Sequence, residues 1–196
     1  MSLSPEVEAR LRLYAALVAK WSEKINLISR HDMPNIWSRH IQDSLVLLPL
    51  IPAQTPFAID LGSGAGFPGM VLAIASGIPF TLVESDRRKC IFLTEAARQT
   101  AAPVTVLNTR IEGARTAPAP LITARALAPL DKLIGLALPH LAPGGICLFP
   151  KGRGAAEELT AARRLWQMDV QLAANPLDGD ACILKVSQIH HAGHPA

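Results

Sequence analysis

An acidic residue and four glycines follow one short apolar run, and they are the residues best suited to bind a ligand. They are Asp60, Gly62, Gly64, Gly66 and Gly69. Glycines let backbone N–H groups approach a ligand, and a helix that starts directly after them adds the positive end of its dipole. The last three glycines fit the spacing of a dinucleotide-binding loop, whereas the acid with the first three fits the loop of enzymes that use S-adenosylmethionine. The segment therefore predicts a cofactor loop between a strand and a helix, and both cofactors stay open at this point.

Apolar runs alternate with helical patterns from residue 57 onward. Strands that are apolar on both faces are typical of a mostly parallel sheet covered by helices, so we expect an α/β fold. In such sheets ligands bind beyond the carboxyl ends of the strands. Strands are predicted at Phe57–Leu61, Phe80–Glu84, Val104–Leu107, Leu121–Ala124, Ile146–Phe149 and Ile183–Val186, with a further one near Val170. Helices are predicted at Pro68–Ser76, Arg87–Thr100, Leu130–Leu141 and Ala155–Trp166.

The first fifty residues are predicted to be helical. Ser4 can cap a helix that begins at Pro5, and a second helix is predicted over Pro34–Leu48. Apolar residues recur at spacings of three and four along the first helix; they are Val7, Leu11, Tyr14, Val18, Trp21 and Ile25. We expect residues 1–52 to form a helical extension on a main domain of residues 53–196, because one apolar face cannot form a core alone. The C-terminal HHAGHPA is expected to be frayed.

Glu84 is predicted to end the second strand, at a distance from the glycine loop where a carboxylate can bind two ribose hydroxyls. Both candidate cofactors contain such a ribose. A compact dehydrogenase commonly needs a tyrosine–lysine pair, yet the only tyrosine, Tyr14, lies on the apolar face of the first helix. Asp60 would repel a pyrophosphate but suits the cationic amino and sulfonium groups of S-adenosylmethionine. These observations favour S-adenosylmethionine, with a dehydrogenase as the alternative.

Composition indicates a globular protein with one substantial domain and a small appendage. The chain has 196 residues, of which 49% are hydrophobic and 18% charged. Its short apolar runs and acidic N-terminus predict neither a membrane span nor export. Cys90, Cys147 and Cys182 show no CxxC spacing, which argues against a disulfide framework or a metal site and favours a cytoplasmic location. Lys89 could lower the pKa of the Cys90 thiol, but we expect no cysteine to act as a nucleophile.

Seven segments, taken in order, resemble one protein family. They are KINLIS, RHIQDSL, DLGSGAGFPGMVLAI, TLVESDRRKCIFL, RIEG, ARALAPL and PKGRG. Together they resemble the bacterial 16S ribosomal RNA guanine-N7 methyltransferases, the glucose-inhibited division protein B family, from Trp21 to about Gly154. RHIQDSL ahead of GSGAGFPG is the specific combination, since the glycine loop alone would indicate only a methyltransferase. The resemblance implies a doubly wound, Rossmann-like class I fold. It also implies methyl transfer from S-adenosylmethionine to N7 of a guanine in the decoding-region loop of 16S ribosomal RNA.

The resemblance also implies a set of cofactor-binding residues. They are Gly62, Gly64 and Phe67 in the glycine loop, Glu84 at the ribose, Ile111 and Glu112 beside the adenosine, and Arg125 at the mouth of the active site. Ala124 and Ile28 depart from the family pattern, which often has serine and threonine there, so neither position offers a hydroxyl in this chain. Guanine N7 has a lone pair and no proton, so positioning and electrostatics can carry the reaction without a general base.

Basic residues near the expected mouth are predicted to bind RNA phosphates. They are Arg39, His40, Arg87, Arg88, Lys151 and Arg153. Positive charge at the start of a helix is unfavourable because it opposes the helix dipole, which suggests that Arg87 and Arg88 serve a function. A group of cations that faces one cleft favours phosphate binding. Asp43 and Ser44 are interpreted as a local helix-packing pair. We expect the small ribosomal subunit as the partner and a monomeric protein. A non-catalytic RNA-binding module that retains the cofactor pocket is the alternative.

Overall fold

The computed structural model describes residues 3–193 of the chain. The strands are β1 (Ala58–Leu61), β2 (Phe80–Glu84), β3 (Val104–Asn108), β4 (Ala119–Thr123), β5 (Leu141–Lys151), β6 (Trp166–Ala174) and β7 (Cys182–His191). The α-helices are α1 (Pro5–Ser22), α2 (Asp43–Leu45), α3 (Gly69–Ser76), α4 (Arg87–Thr100), α5 (Leu130–Ala137) and α6 (Ala155–Ala162). Within the described residues no helix is both long and apolar enough to cross a membrane.

The strands form one sheet in the order β3-β2-β1-β4-β5-β7-β6. Strands β1 to β5 are parallel, and β7 pairs antiparallel with both β5 and β6. The chain order reverses between β1 and β4, which lie side by side, so the loops that leave their carboxyl ends meet at one edge. The expected mostly parallel α/β architecture is confirmed, and the reversal predicts where the ligand site lies.

Each face of the sheet carries its own hydrophobic cluster. The first cluster joins α1, α3 and α4 to the sheet, with Leu11, Met70 and Phe92 among its buried residues. The second joins α5 and α6 to the opposite face and includes Leu130 and Ala162. Strand β1 is buried along its whole length because helices cover both of its faces. The site at its end therefore rests on a closely packed layer.

The N-terminal helix forms as the sequence predicts and packs onto the main domain. The hydroxyl of Ser4 accepts a hydrogen bond of 3.3 Å from the amide of Val7, and Pro5 opens the helix. Leu11 and Tyr14 are fully buried in the cluster that also holds α3 and α4. Over the described part of this segment, residues 3–52, no core is separate from that of the sheet, and the division between residues 1–52 and 53–196 stays a prediction.

The second predicted helix, Pro34–Leu48, is wrong as a continuous α-helix. A 3₁₀ turn (Met33–Asn35), a π-helical turn (Trp37–Gln42), α2 and a second 3₁₀ turn (Leu48–Leu50) occupy this segment. Both 3₁₀ turns contain a proline, which has no backbone N–H to donate. The wide π turn carries Arg39 and His40, and such turns are frequent at functional sites.

Several other predicted bounds need correction. Helix α5 ends at Ala137 because Pro139 follows, and a 3₁₀ turn continues to His140. Helix α6 ends at Ala162, before Trp166 starts β6. The predicted frayed tail is wrong at His190 and His191, which pair with β6 as the last residues of β7. Residues 194–196 of that prediction lie outside the described residues.

Candidate active site

The glycine loop leaves β1 and is held from below by the N-terminal helix. The Tyr14 hydroxyl donates a hydrogen bond to the carbonyl oxygen of Ala65, and burial keeps the pKa of Tyr14 well above its usual value. Gly66 has a φ of 94°, and a Cβ there would lie 2.6 Å from the Tyr14 hydroxyl oxygen. A side chain at this position would therefore force apart the contact between helix and loop.

Glu84 connects the loops that follow β1 and β2. Its carboxylate accepts hydrogen bonds from the Gly64 amide at 2.8 Å and from the Asp86 amide at 2.7 Å. The backbone carbonyl of Glu84 accepts from the Asn108 side-chain amide at 3.2 Å and from the Thr109 amide at 3.0 Å. The side chain is buried at the edge of a pocket, so its orientation is fixed before any ligand binds.

A first pocket of about 530 Å³ opens above the glycine loop. All seven residues predicted to bind the cofactor line it: Gly62, Gly64, Phe67, Glu84, Ile111, Glu112 and Arg125. Leu27, Ile28, Lys89 and Arg110 also line it and were not predicted as ligand contacts. Ile28 therefore presents an apolar side chain to this pocket, and Ala124, the other departure from the family pattern, is buried in the core.

A buried histidine holds the turn that carries Ile111 and Glu112. The Nε2 atom of His140 lies 3.1 Å from the carbonyl oxygen of Ile111, and its Nδ1 atom lies 3.0 Å from the Thr116 hydroxyl. His140 lies in the 3₁₀ turn after α5, far from the pocket in sequence. Sequence reasoning missed it, because nothing local distinguishes this histidine from any other.

Arg125 follows β4 and lies in the wall of the pocket. Its Nη1 donates to the Asp43 carboxylate at 3.1 Å and to the Arg39 carbonyl oxygen at 3.3 Å, and its Nη2 lies 2.9 Å from His40 Nδ1. The guanidinium carbon lies 5.2 Å from the centre of the Phe67 ring, within cation–π distance. With four such contacts the guanidinium is fixed in one place.

His40 is neutral and forms part of the same wall. Because a guanidinium has no acceptor, His40 Nδ1 must accept from Arg125, which puts the ring proton on Nε2. Burial, together with the charge of Arg125, lowers the pKa of His40 to about 4. Its ring stacks on Phe67 at 4.9 Å between centroids, with 17° between the planes. His40, predicted as a cation for RNA phosphates, is thus a neutral hydrogen-bonding histidine in this structure.

A second pocket of about 810 Å³ adjoins the first. The two share His40, Arg125, Ala126 and Leu127, so these residues form a common wall. The other sides of the second pocket come from the π turn, from the end of β5 and from the turn between β6 and β7. Two adjoining pockets with one wall suit a reaction in which a group passes from one bound molecule to another.

Asp43 follows the π turn and connects it to Arg125 and to the turn between β6 and β7. The sequence did not predict this role. One carboxylate oxygen accepts from Arg125, and the other accepts from the side-chain amide of Asn175 at 2.8 Å. Asn175 opens the turn between β6 and β7, 132 residues away. Ser44 has only the predicted local role, since its hydroxyl donates to the His40 carbonyl oxygen at 2.6 Å.

The predicted RNA-binding cations do not all face these pockets. Arg39 and Lys151 line the second pocket, but Lys151 already donates to the Glu158 carboxylate at 2.7 Å and is mostly buried. Arg153 is exposed, pairs with Asp180 at 2.8 Å and lines neither pocket. Lys151 is therefore the least available of these cations for a phosphate.

The cations at the start of α4 have a local partner. Asp86 caps the helix by accepting from the Arg88 amide at 2.8 Å, and its carboxylate also lies 3.5 Å from the Arg88 guanidinium. Arg87 faces a separate groove beside Cys90, whereas Lys89 lines the first pocket. The Asp86 cap offsets part of the repulsion between the basic residues and the helix dipole.

Asp60 does not face the pocket, so its predicted contact with a cationic ligand is wrong. Its side chain is fully buried below Gly69, and the Thr123 hydroxyl donates to it at 2.6 Å. Burial raises the pKa of Asp60 to about 6, although the Thr123 bond opposes the rise. Asp60 therefore supports the glycine loop from within the core.

The suggestion that Lys89 lowers the pKa of Cys90 is also wrong. Burial, with the nearby charge of Glu84, raises the pKa of the Cys90 thiol, which donates to the Glu84 carbonyl oxygen at 3.3 Å. Burial raises the pKa of Cys147 and of Cys182 as well. Raised pKa values make all three thiols poor nucleophiles.

The sheet order and the position of the pockets match the Rossmann-like fold of class I methyltransferases. Solved structures share this fold. One is a ribosomal protein L11 methylase from Lactobacillus delbrueckii subsp. bulgaricus, at TM-score 0.63 and 17% identity over 78% of this chain and 79% of that one. Another is the glycopeptide N-methyltransferase MtfA complexed with S-adenosylmethionine, at TM-score 0.63 and 8% identity over 75% of this chain and 93% of that one.

Closer similarity places the chain in one family of this class. Residues 7–179 match the family model described as rRNA small subunit methyltransferase G, so the chain belongs to that family. A ribosomal RNA small subunit methyltransferase G from Paramagnetospirillum magneticum is 50% identical over 95% of this chain and 91% of its own. One from Acidiphilium cryptum is 54% identical over 93% of this chain and 85% of its own. The family expected from the sequence motifs is confirmed.

Proposed function

We propose that this protein transfers a methyl group from S-adenosylmethionine to N7 of a guanine in the decoding-region loop of 16S ribosomal RNA. The observation that carries the proposal is the pair of adjoining pockets with Arg125 and His40 in their common wall. The first pocket is built on the glycine loop and a fixed carboxylate, and the second is open to a larger partner. Membership of the methyltransferase G family supports the same reaction and the same RNA.

S-adenosylmethionine fits the first pocket through donors and acceptors that are already oriented. The Glu84 carboxylate accepts only one amide bond at each oxygen, which leaves lone pairs for two ribose hydroxyls. Gly62, Gly64 and Phe67 would line the methionine and ribose side, and Ile111 and Glu112 the adenosine side. The cofactor supplies an electrophilic methyl group on a sulfonium. The role of the protein is then to hold the two reactants in line.

The target base is assigned to the second pocket, where no general base is needed. N7 of guanine carries a free lone pair and no proton, so nothing has to be removed before it attacks. The neutral His40 makes its one bond at Nδ1 to Arg125, which fits a wall residue and not a proton acceptor. Arg125 and His40 would therefore position the base and keep water away from the reacting atoms.

RNA phosphates would contact the cations around the second pocket. Arg39 is the best placed, because it lines the pocket and is exposed, with Asp32 as its partner at 3.1 Å. Arg87, Arg88 and Arg153 do not line this pocket and would contact flanking RNA, and Lys151 would contribute only by releasing Glu158. Such contacts supply affinity and register, and they make binding depend on salt.

We also propose the small ribosomal subunit as the partner, the cytoplasm as the compartment and a monomer as the working form. The ribosomal substrate implies the compartment. The N-terminal segment of residues 1–52 would act with the main domain, because Arg39, His40 and Asp43 complete the second pocket.

Methyl transfer to unmethylated small subunits tests the proposal. The purified protein is incubated with tritiated S-adenosylmethionine and either small subunits or naked 16S RNA. The labelled nucleotide is then located by strand cleavage at 7-methylguanine. We expect one labelled guanine in the decoding-region loop.

Other outcomes of this experiment point elsewhere. Label on adenine or on a pyrimidine would overturn the N7 assignment but keep the methyltransferase. A protein that binds the RNA and the cofactor but transfers no methyl group would be a binding module. Calorimetric titration with NADH and with S-adenosylmethionine separates the dehydrogenase alternative, which predicts tight binding of NADH only.

A further inference from the structure

The proposed reaction moves a positive charge across the wall between the two pockets. Before transfer the charge is on the sulfonium in the first pocket. A bond forms between N7 and the methyl carbon while the bond from that carbon to sulfur breaks, and its electron pair stays on sulfur. The sulfur becomes neutral, the guanine becomes cationic, and no proton moves. The charges around the second pocket therefore influence the rate.

The cations that line the second pocket each have an acidic partner. Lys151 pairs with Glu158 at 2.7 Å, and Arg39 pairs with Asp32. Arg125 pairs with Asp43 at 3.1 Å, and these two side chains are only 19% and 24% exposed. Of these cations only Arg125 belongs to the wall that both pockets share, and its partner Asp43 lines only the second pocket. A charge in this position is weakly screened by solvent.

Arg125 lines both pockets, so its charge alone would not favour the cationic guanine over the cationic sulfonium. Its guanidinium is fixed beside the place where the guanine becomes cationic, and like charges repel. His40, the other polar residue of the wall, is neutral and cannot offset it. Asp178 on the turn between β6 and β7 carries a negative charge but is exposed and does not contact Arg125. Asp43 is the acid that contacts the Arg125 guanidinium.

We propose that Asp43 is a positioning residue that balances the charge of Arg125, so that the wall accepts a cationic 7-methylguanine. Asp43 acts through Arg125 and needs no contact with the RNA. The oxygen that accepts from Arg125 keeps the charge beside the guanidinium, and the bond from Asn175 is a separate contact at the other oxygen. The inference rests on the proposed function and deepens it, because it assigns the residue that favours the charge distribution of the product.

The Asp43→Asn variant tests this proposal, since it removes the charge and keeps an oxygen acceptor. Turnover is measured on small subunits. Binding is measured, with S-adenosylhomocysteine present, to two synthetic fragments of the target RNA, one with guanine and one with 7-methylguanine. We expect kcat to fall roughly tenfold to a hundredfold while KM and the cofactor Kd stay within about threefold. The preference for the methylated fragment should fall about tenfold, which a purely structural defect would not cause.

Two further variants separate charge from structure. Asn175→Ala removes the other partner of Asp43 and leaves its charge, so the ratio of the two fragment affinities should stay as in the parent. Asp169→Asn removes a negative charge from an exposed position on β6 that lines neither pocket, and it should change neither turnover nor the ratio. Cofactor binding and the thermal midpoint report folding, and Asp43→Ser serves as a second neutral variant.

The outcomes are distinct. If the parent is active and Asp43→Asn keeps the parent's ratio of the two fragment affinities, this inference alone is overturned. The same loss in Asn175→Ala also overturns it, because the role would then be to hold the turn. A parent that methylates no ribosomal RNA overturns the proposed function and this inference together.

Discussion

Replacing Tyr14 with phenylalanine is expected to weaken both the fold and the cofactor loop. The change deletes only the hydroxyl that donates to the Ala65 carbonyl oxygen, and it keeps the ring contacts with Phe67 and Phe92. Tyr14 is fully buried, so water cannot replace the lost donor. A buried acceptor left unpaired costs about 1–3 kcal/mol in the free energy of unfolding.

For a chain of this size that loss lowers the thermal midpoint by about 3–10 °C. Ala65 lines the first pocket, so part of the loss should appear in ligand binding. We expect the Kd for S-adenosylmethionine to rise about threefold to tenfold, which corresponds to about 1 kcal/mol. Thermal unfolding by circular dichroism and calorimetric titration measure the two effects.

The matched control is Thr100→Val, which deletes a buried hydroxyl in α4 that donates within its own helix, to the Ala96 carbonyl oxygen at 2.7 Å. It should lower the thermal midpoint without changing cofactor affinity. Unchanged affinity in Tyr14→Phe would refute the idea that this hydroxyl positions the loop. Unchanged affinity and stability together would mean that the bond to Ala65 does not form in solution.

Three further changes have expected outcomes that follow from the site. Burial raises the pKa of Asp60 from 3.8 to about 6, so the folded protein favours the protonated carboxyl. The stability that this preference adds to the fold is lost as the pH rises from 3.8 through about 6. Asp60→Asn should therefore gain about 3 kcal/mol relative to the parent between pH 4 and pH 7 in urea unfolding. A Cβ at Gly62, where φ is 63°, would meet Leu127 at 2.5 Å, so Gly62→Ala should weaken cofactor binding. The control is Gly77→Ala, at a φ of 73° with open space around it, which should lower only the stability of the fold. Cys90→Ser should keep methyl transfer within about tenfold of the parent, and its loss in a folded, cofactor-binding variant would indicate covalent catalysis.

The sheet and its helices could be predicted because their signals are local. Strand β2 and helix α4 have the predicted bounds, since an apolar run buried on both faces and a capping Asp86 are visible in the sequence itself. The glycine loop and Glu84 could be predicted for the same reason, because both follow directly from strand ends. Recognition of the family motifs then supplied the roles of Ile111 beside the adenosine and of Arg125 at the mouth of the active site.

The errors concern residues whose surroundings depend on how separate elements of the fold pack together. The direction of the Asp60 side chain depends on Thr123, which is 63 residues away. Lys151 pairs with Glu158, so a cation that the sequence predicts for RNA phosphates is already occupied. The way in which Asp43 joins the sides of the second pocket depends on Asn175. The π turn depends on how the N-terminal segment packs. None of these partners can be found before the fold is known.

The residues of the common wall and their partners come from separate parts of the chain. His40 and Asp43 come from the N-terminal segment, whereas Arg125 follows β4, at the point where the sheet order reverses. The glycine loop and Glu84 follow β1 and β2, and Tyr14 of α1 supports the loop through a contact that does not involve the π turn. Loosening of the N-terminal segment near the π turn would therefore open the second pocket before the first. Such a change would impair the RNA step while leaving the Glu84 side of the cofactor pocket intact, because the bonds from the Gly64 and Asp86 amides to Glu84 involve no residue of the π turn.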